Sequence, residues 1–452
     1  MFSFLRNISK DEIVKGWLTL LTGNLVRMVL AVLVSILVVR KLGPERFGIF
    51  ALISATVAIF YTISDFGLCS AATKFIAQTV KSSLRVAQQI AFSFFWLKML
   101  IAVVICVVAI LLADMLCRIF FYRPEISSIL QLGFLALISM ALSSTVTTFL
   151  QAIKKFRTLT AMQILNPLLS LIVFILLIRF NLLSLQSVII VGIVVPGFIF
   201  FIAAYRLKES GFPLMFKSPD FKISIKNESV RKLTNFSKWL WLSAIFSILV
   251  AQLDLILVNR FTTSVLVGVY ALALNISFRL DVVNQSLYTV LLPVVSGLTN
   301  RKEFIRYLYQ SLKKTLPFVV LLTLTGPFLK PLIILFYGHE YAASVPVLYI
   351  LILVVLFDLV TTPIILLAFP MNQSKLLAAS DVLRVVVLII SSLFLIPKFG
   401  IIGAAWSKLM AKIAGATLTA SVIFLQLSRL RFGKVKEDTL EACQNADLFR
   451  KG

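Results

Sequence analysis

The chain has 452 residues, of which 60% are hydrophobic and 14% charged, and its mean hydropathy is +1.01. That is more apolar surface than a water-soluble fold of this length can bury, so the solvent for most of the chain is lipid. The 44 Lys+Arg against 19 Asp+Glu give a net charge of +25. In so apolar a chain this excess reads as basic loops on the cytoplasmic side of a membrane, and a soluble enzyme and a nucleic-acid-binding protein are both excluded.

The first fifteen residues carry Arg6, Lys10 and Lys15 and read as a cytoplasmic lead-in. The apolar run that follows is too long for a signal-peptide core and lacks an A-x-A site, so it is expected to span the membrane and stay attached. Twelve apolar runs are long enough to cross as helices: 16–39, 47–70, 88–112, 126–150, 158–178, 183–205, 238–258, 265–292, 316–337, 345–370, 376–396 and 401–427. They are continuous and not alternating, which excludes a β-barrel.

With the N-terminus placed inside, the cytoplasmic segments hold 29 Lys and Arg and the outside segments 8. The asymmetry predicts an even number of crossings with both termini in the cytoplasm. The longest and most basic connection, 206–237, divides the chain into an N-terminal six-helix bundle (1–205) and a C-terminal one (238–428), followed by a short polar cytoplasmic tail, 429–452. The fold class expected is therefore an all-α polytopic membrane protein of two six-helix bundles.

Equal halves invite a search for a repeat. Val38, Arg40, Gly48, Ala51 and Leu52 recur 220 residues later as Val258, Arg260, Gly268, Ala271 and Leu272. A second match, Arg179-Phe-Asn-Leu-Leu183 with Lys398-Phe-Gly-Ile-Ile402, has an offset of 219. Two matches at nearly one offset predict parallel repeats, an architecture suited to alternating access.

Ionisable groups within spans are costly and mark cavities or partners. At 1.5 Å rise per residue, Arg27, Lys98, Arg279 and Lys412 fall near the midplane and are the candidate substrate-binding cations. Asp65, Asp254, Asp281 and Asp358 are the candidate acids, either as counter-charges or as ligands of a coupling ion, H⁺ or Na⁺. Asp381 and Arg384 have the i,i+3 spacing of an intrahelical pair. A surplus of cations suits an anionic cargo such as a phosphate or an acidic sugar.

Other chemistry is sparse. The four cysteines, Cys69, Cys106, Cys117 and Cys443, have no C-x-x-C spacing, and His339 is the single histidine. No metal site and no cofactor is expected. There is no P-loop, no H-E-x-x-H and no large outside loop that could house a membrane glycosyltransferase or polymerase.

The stretch Arg40-Lys-Leu-Gly-Pro-Glu-Arg-Phe-Gly-Ile-Phe50, followed by Asp65-Phe-Gly-Leu68, resembles the opening of Wzx-type polysaccharide flippases, within the MATE-like multidrug/oligosaccharidyl-lipid/polysaccharide (MOP) superfamily. Leu335-Phe-Tyr-Gly-His-Glu-Tyr341 and Ile396-Pro-Lys-Phe-Gly-Ile-Ile-Gly-Ala-Ala405 agree in order. The resemblance implies two bundles around a central cavity, in the inner membrane of a bacterium. It implies movement of undecaprenyl-pyrophosphate-linked oligosaccharide units, such as those of O-antigen, to the outer leaflet, with polysaccharide polymerase and assembly proteins as partners. It does not fix the substrate-binding residues. A cation or drug antiporter of the same superfamily is the competing expectation.

Overall fold

The computed structural model describes residues 12–80, 83–209, 228–296, 298, 301–371 and 373–429. Among them every regular element is helical. In chain order these are α1 (Glu12–Asp65), α2 (Leu68–Thr79), α3 (Leu84–Leu116), α4 (Ser127–Phe134), α5 (Ala136–Ala152), α6 (Phe156–Arg179) and α7 (Leu185–Glu209). They continue with α8 (Glu228–Phe261), α9 (Ser264–Leu280), α10 (Val282–Ser296), α11 (Arg301–Leu324), α12 (Gly326–Tyr337), α13 (Ser344–Leu366) and α14 (Ser374–Arg429).

Nine helical stretches among the described residues are long and apolar enough to cross a membrane, or ten if the pair around Thr325, bent by 53°, is one span. Two, of 44 and 53 residues, are more than twice the ~20 residues a crossing needs. Helix α1 holds the run expected at 16–39 and that at 47–70 as far as Asp65, the rest of the second falling in α2, and it is kinked at Gly43 (φ 69°), the residue before Pro44. Proline excludes the α conformation from its predecessor, and only glycine adopts this left-handed extended geometry without strain. Helix α14 holds the runs expected at 376–396 and 401–427 and is kinked at Gly400 (φ 57°).

The second repeat match explains that kink. Asn181, which the 219-residue offset places opposite Gly400, has φ 55°. Asparagine is the side chain that best tolerates the left-handed region after glycine, so the two copies spell one backbone turn with different residues. Asn181→Gly is expected to be neutral or slightly stabilising, and Asn181→Val to cost about 1–2 kcal/mol. Thermal unfolding of the detergent-solubilised protein measures both, and equal stability of the two variants would refute the reading.

In lipid, helices associate through close packing and not by escaping water, so small residues mark the contacts. On α3, Ala102, Cys106, Ala109, Ala113 and Cys117 of the following π turn recur every three or four residues, all buried. Val103, Val104, Val107, Val108 and Leu111 lie on the exposed side. Cys106 donates weakly to the Phe134 carbonyl at 3.4 Å, and Cys69, Cys106 and Cys117 are free thiols. In the loop 338–341, Gly338 (φ 104°) makes the turn and Tyr341 is buried.

The chain forms two compact units, Met1–Gly268 and Val269–Gly452. The sequence division assigns 238–258 to the second bundle, whereas α8 packs against α1, α2 and α3 and lies with the first unit. Of the expected linker and tail, 210–227 and 430–452 lie outside the described residues, as does Cys443. The first unit's core joins Leu68, Ile76, Phe94, Phe149, Phe200 and Leu207, with Phe94 edge-on to Phe149 at 5.6 Å. In the second unit, Leu291, Val295, Phe304, Leu366, Leu367 and Ile423 form one cluster and Leu322, Val355 and Leu359 another.

The first repeat match is a contact as well as a likeness. A Cβ on Gly48 would overlap the carbonyl oxygen of Ser264 and lie 2.8 Å from the nitrogen of Gly268. One on Gly268 would overlap the Pro44 carbonyl oxygen and lie 2.8 Å from its carbon. Two repeat-related glycines thus bring the start of α9 against α1, backbone to backbone. The matched Val38, Leu52, Val258 and Leu272 are all buried.

Candidate functional site: charges paired inside the helices

In the first unit the site begins at a broken helix. Asp65 ends α1, and Phe66 (φ 49°) and Gly67 (φ 66°) are both left-handed before α2 starts at Leu68. A phenylalanine at positive φ is unusual and needs support from its surroundings. Trp241 of α8 supplies it: the indole N–H donates to the Ile63 carbonyl at 3.0 Å, and the ring lies 4.6 Å from that of Phe66.

The break presents Asp65 to Lys98 of α3. Lys98 Nζ donates to Asp65 Oδ1 at 2.6 Å and to Cys69 Sγ at 2.7 Å. The lysine side chain is 0% exposed and Asp65 22%. The rings of Tyr61 and Phe94 face the ammonium at 5.7 and 5.8 Å, within cation–π range. Tyr61 lies one turn before Asp65 on α1 and Cys69 follows the break at the start of α2; with Phe94 of α3 these residues surround Lys98. They enclose the ammonium with a carboxylate, a thiol and two aromatic faces, which is how a lysine is kept charged away from water.

In the second unit Asp281 lies where α9 meets α10, and helical hydrogen bonds run through it: its N–H donates to the Ser277 carbonyl and its carbonyl accepts from the Gln285 N–H, both at 3.0 Å. The amides of Asn284 and Gln285 approach its two carboxylate oxygens at 3.4 Å each, which is long for a hydrogen bond. Asn284 in turn accepts from the Thr362 hydroxyl of α13 at 2.7 Å. Asp358 of α13 accepts from Lys412 Nζ of α14 at 2.6 Å. Asp381 and Arg384 pair at 3.0 Å, as their spacing predicts, and Gly415 leaves the room in which the Arg384 side chain lies.

The remaining candidates lie on α1, α8 and α9. Arg27 is exposed on α1, and Arg279 is half-buried on α9. Asp254 is fully buried on α8, where its Oδ1 accepts the Leu255 N–H at 3.0 Å. Lys408 is buried with its ammonium 5.3 Å from the Phe278 ring.

Two of the four candidate cations, Lys98 and Lys412, are therefore held by two of the four candidate acids, Asp65 and Asp358. Sequence reasoning missed Tyr61, Cys69, Asn284 and Thr362. Only the four-residue spacing of the first two about Asp65 signals any of them.

A chain of apolar helices in this arrangement has the fold of the MOP-superfamily transporters. It superposes on the lipid II flippase MurJ in an inward closed conformation (TM-score 0.71, 17% identity, 90% of this chain and 89% of that one). It is similar to an inward-facing multidrug resistance MATE family transporter of the MOP superfamily (TM-score 0.69, 13% identity, 89% and 95%). It also matches a MOP superfamily transporter from Pyrococcus furiosus described by the reverse polarity of its binding pocket (TM-score 0.63, 14% identity, 91% and 94%). No functionally curated protein matches the sequence. Residues 13–299 match the family of polysaccharide biosynthesis proteins, and the chain belongs to that family.

Proposed function

We propose that this membrane protein is a flippase for lipid-linked oligosaccharides. It carries undecaprenyl-pyrophosphate-linked repeat units of a surface polysaccharide from the cytoplasmic to the outer leaflet of a bacterial inner membrane. Twelve crossings, both termini inside and alternating access coupled to an ion gradient or the membrane potential complete the reading. Polymerase and assembly proteins on the outer face would take up the product.

The observation that carries it is a polysaccharide-biosynthesis chain, on a fold shared with a lipid II flippase, that holds lysine ammoniums inside the membrane. A pyrophosphate head must lose its water to cross and needs replacement counter-charge. Lys98 and Lys412 can give it when their carboxylate partners yield, and Arg27 and Arg279 add to it. An export role for a cationic drug would instead use Asp65, Asp281 and Asp358, and the fold likeness to multidrug transporters supports that second reading.

Deleting the gene and analysing both surface polysaccharide and prenyl-linked oligosaccharides separates the two. Loss of the polymer, with lipid-linked units trapped on the cytoplasmic side, is expected. An unchanged glycan with altered sensitivity to cationic drugs establishes the antiporter. Replacing Arg27 or Arg279 by Ala is expected to reduce export at least about tenfold while the protein still inserts, since each removes a charge-assisted contact. Normal export from both variants would remove these arginines from the cargo site.

A further inference from the structure

Cys69 has no part in the proposed transport step, yet its sulfur touches a nitrogen on which that step depends. Lys98 Nζ lies 2.7 Å from Cys69 Sγ, and the same nitrogen lies 2.6 Å from Asp65 Oδ1. At 2.7 Å the nitrogen is inside the usual reach of a hydrogen bond to sulfur, and a short movement of the lysine chain brings the two atoms to bonding distance. Among the described thiols only Cys69 keeps some exposure: Cys106 and Cys117 are buried, and Cys106 faces the Phe134 carbonyl. The adjacent ammonium stabilises negative charge on the sulfur, which is what a thiol needs in order to attack. Lys98 is 0% exposed and walled by the rings of Tyr61 and Phe94, so water does not compete with its nitrogen at the sulfur.

We propose that Cys69 and Lys98 form a reversible covalent cross-link, a sulfenamide, on exposure to hydrogen peroxide. The sulfur attacks the peroxide: the O–O bond breaks, Cys69 becomes the sulfenic acid S–OH, and water leaves. The sulfur loses two electrons and the peroxide gains them. Asp65 then takes one proton from the Lys98 ammonium along their 2.6 Å contact, which frees the nitrogen lone pair. The nitrogen attacks the sulfur, an N–S bond forms as the S–O bond breaks, and the hydroxyl leaves with a proton of the nitrogen as a second water. Condensation with a nitrogen is an ordinary fate of a sulfenic acid. The product is Cys69–S–NH–Lys98 beside a protonated Asp65, so a low-dielectric site exchanges an ion pair for neutral groups. Two equivalents of an external thiol reverse the link, restoring thiol and amine and leaving a disulfide of the external thiol. The link ties the start of α2, just after the break at Phe66 and Gly67, to α3, and it removes the ammonium. Export then stops while the link is in place, a consequence that rests on the flippase reading above; the cross-link itself does not.

Mass spectrometry of the full-length protein in detergent, after a pulse of hydrogen peroxide, tests the link without any cargo. Peptide mapping is expected to find the segments holding Cys69 and Lys98 joined with the loss of two hydrogen atoms, and dithiothreitol is expected to separate them. Lys98→Met is expected to give no such loss and to oxidise onward to the sulfinic acid, with a gain of two oxygens. Asp65→Asn, which lacks the proton acceptor, is expected to link at least about tenfold more slowly. The proposal is overturned if wild-type Cys69 goes to the sulfinic acid or to a disulfide while Lys98 stays free, or if peroxide leaves the wild type unchanged. These outcomes are read on the wild type and stand even where a variant does not fold. Glycan export by peroxide-treated cells is expected to fall in proportion to the linked fraction and to return with dithiothreitol. A link that forms while export continues would keep the cross-link and remove Lys98 from the cargo path.

Discussion

Gly268→Leu is expected to abolish a monodisperse, heat-stable protein. The new side chain would start inside the carbonyl group of Pro44, and neither partner can withdraw. Both are backbone: one in α9, the other fixed by proline next to the Gly43 kink. Overpacking against movable side chains costs roughly 1–3 kcal/mol, and against backbone the upper end or beyond applies. Gly48→Leu, which meets the Ser264 carbonyl oxygen and the Gly268 nitrogen, is expected to behave the same way. Gly192→Ala, on α7 with nothing within 4 Å of the added atom, serves as the control and is expected to leave stability unchanged or slightly raised. Size-exclusion profiles and unfolding temperatures of the three variants decide the matter. A Gly268→Leu protein as stable as the control would mean that the contact does not exist.

The second large effect is expected at Asp65. Asp65→Ala leaves the fully buried Lys98 ammonium without its carboxylate, and removing one partner of a buried pair typically costs about 3–5 kcal/mol. Asp65 keeps some exposure, which puts the effect at the lower end of that range. Adding Lys98→Met to the same chain removes the orphaned charge in a side chain of similar length, and is expected to recover most of the loss. On the flippase reading export should not recover with it, because the double variant has lost the ammonium of this site. Unfolding in detergent gives the first comparison and glycan export the second. A double variant that is stable and fully active would make the pair purely structural.

Much of this was legible in the residues. Long apolar runs separated by basic segments define spans, because lipid tolerates only internally hydrogen-bonded helices. The deep charges also stood out, since a lysine such as Lys98 between Leu97 and Met99 has no reason to be there without a partner. The pairings were hidden. Counted along straight helices, Asp65 lies near a cytoplasmic end and Lys98 near the midplane. The break at Phe66 and Gly67, which ends α1 at the aspartate, and the reach of the lysine side chain close that gap. Nothing in the run of hydropathy signals a left-handed phenylalanine, or that an indole from α8 caps it. The same holds for α8 itself: an apolar run does not say which neighbours it will have, and α8 packs against α1, α2 and α3 of the first unit. Asn284 and Thr362 are 78 residues apart and look like ordinary polar residues of their spans until the fold joins them.

The glycine contact has an evolutionary consequence. If the repeats descend from a duplicated segment, Gly48 and Gly268 are one ancestral position present twice, and the two copies touch each other there. Neither copy can drift alone at that position, because a side chain gained by one would collide with the other. The lysines had no such constraint. The 220-residue offset carries Lys98 to Phe318 and Lys412 to Gly192, so neither lysine has a counterpart in the other copy. The aspartates Asp65 and Asp281 lie about one turn from equivalence, at an offset of 216. Such a history would leave an acid near the same helical position in both halves, with the lysines added after the copies had diverged.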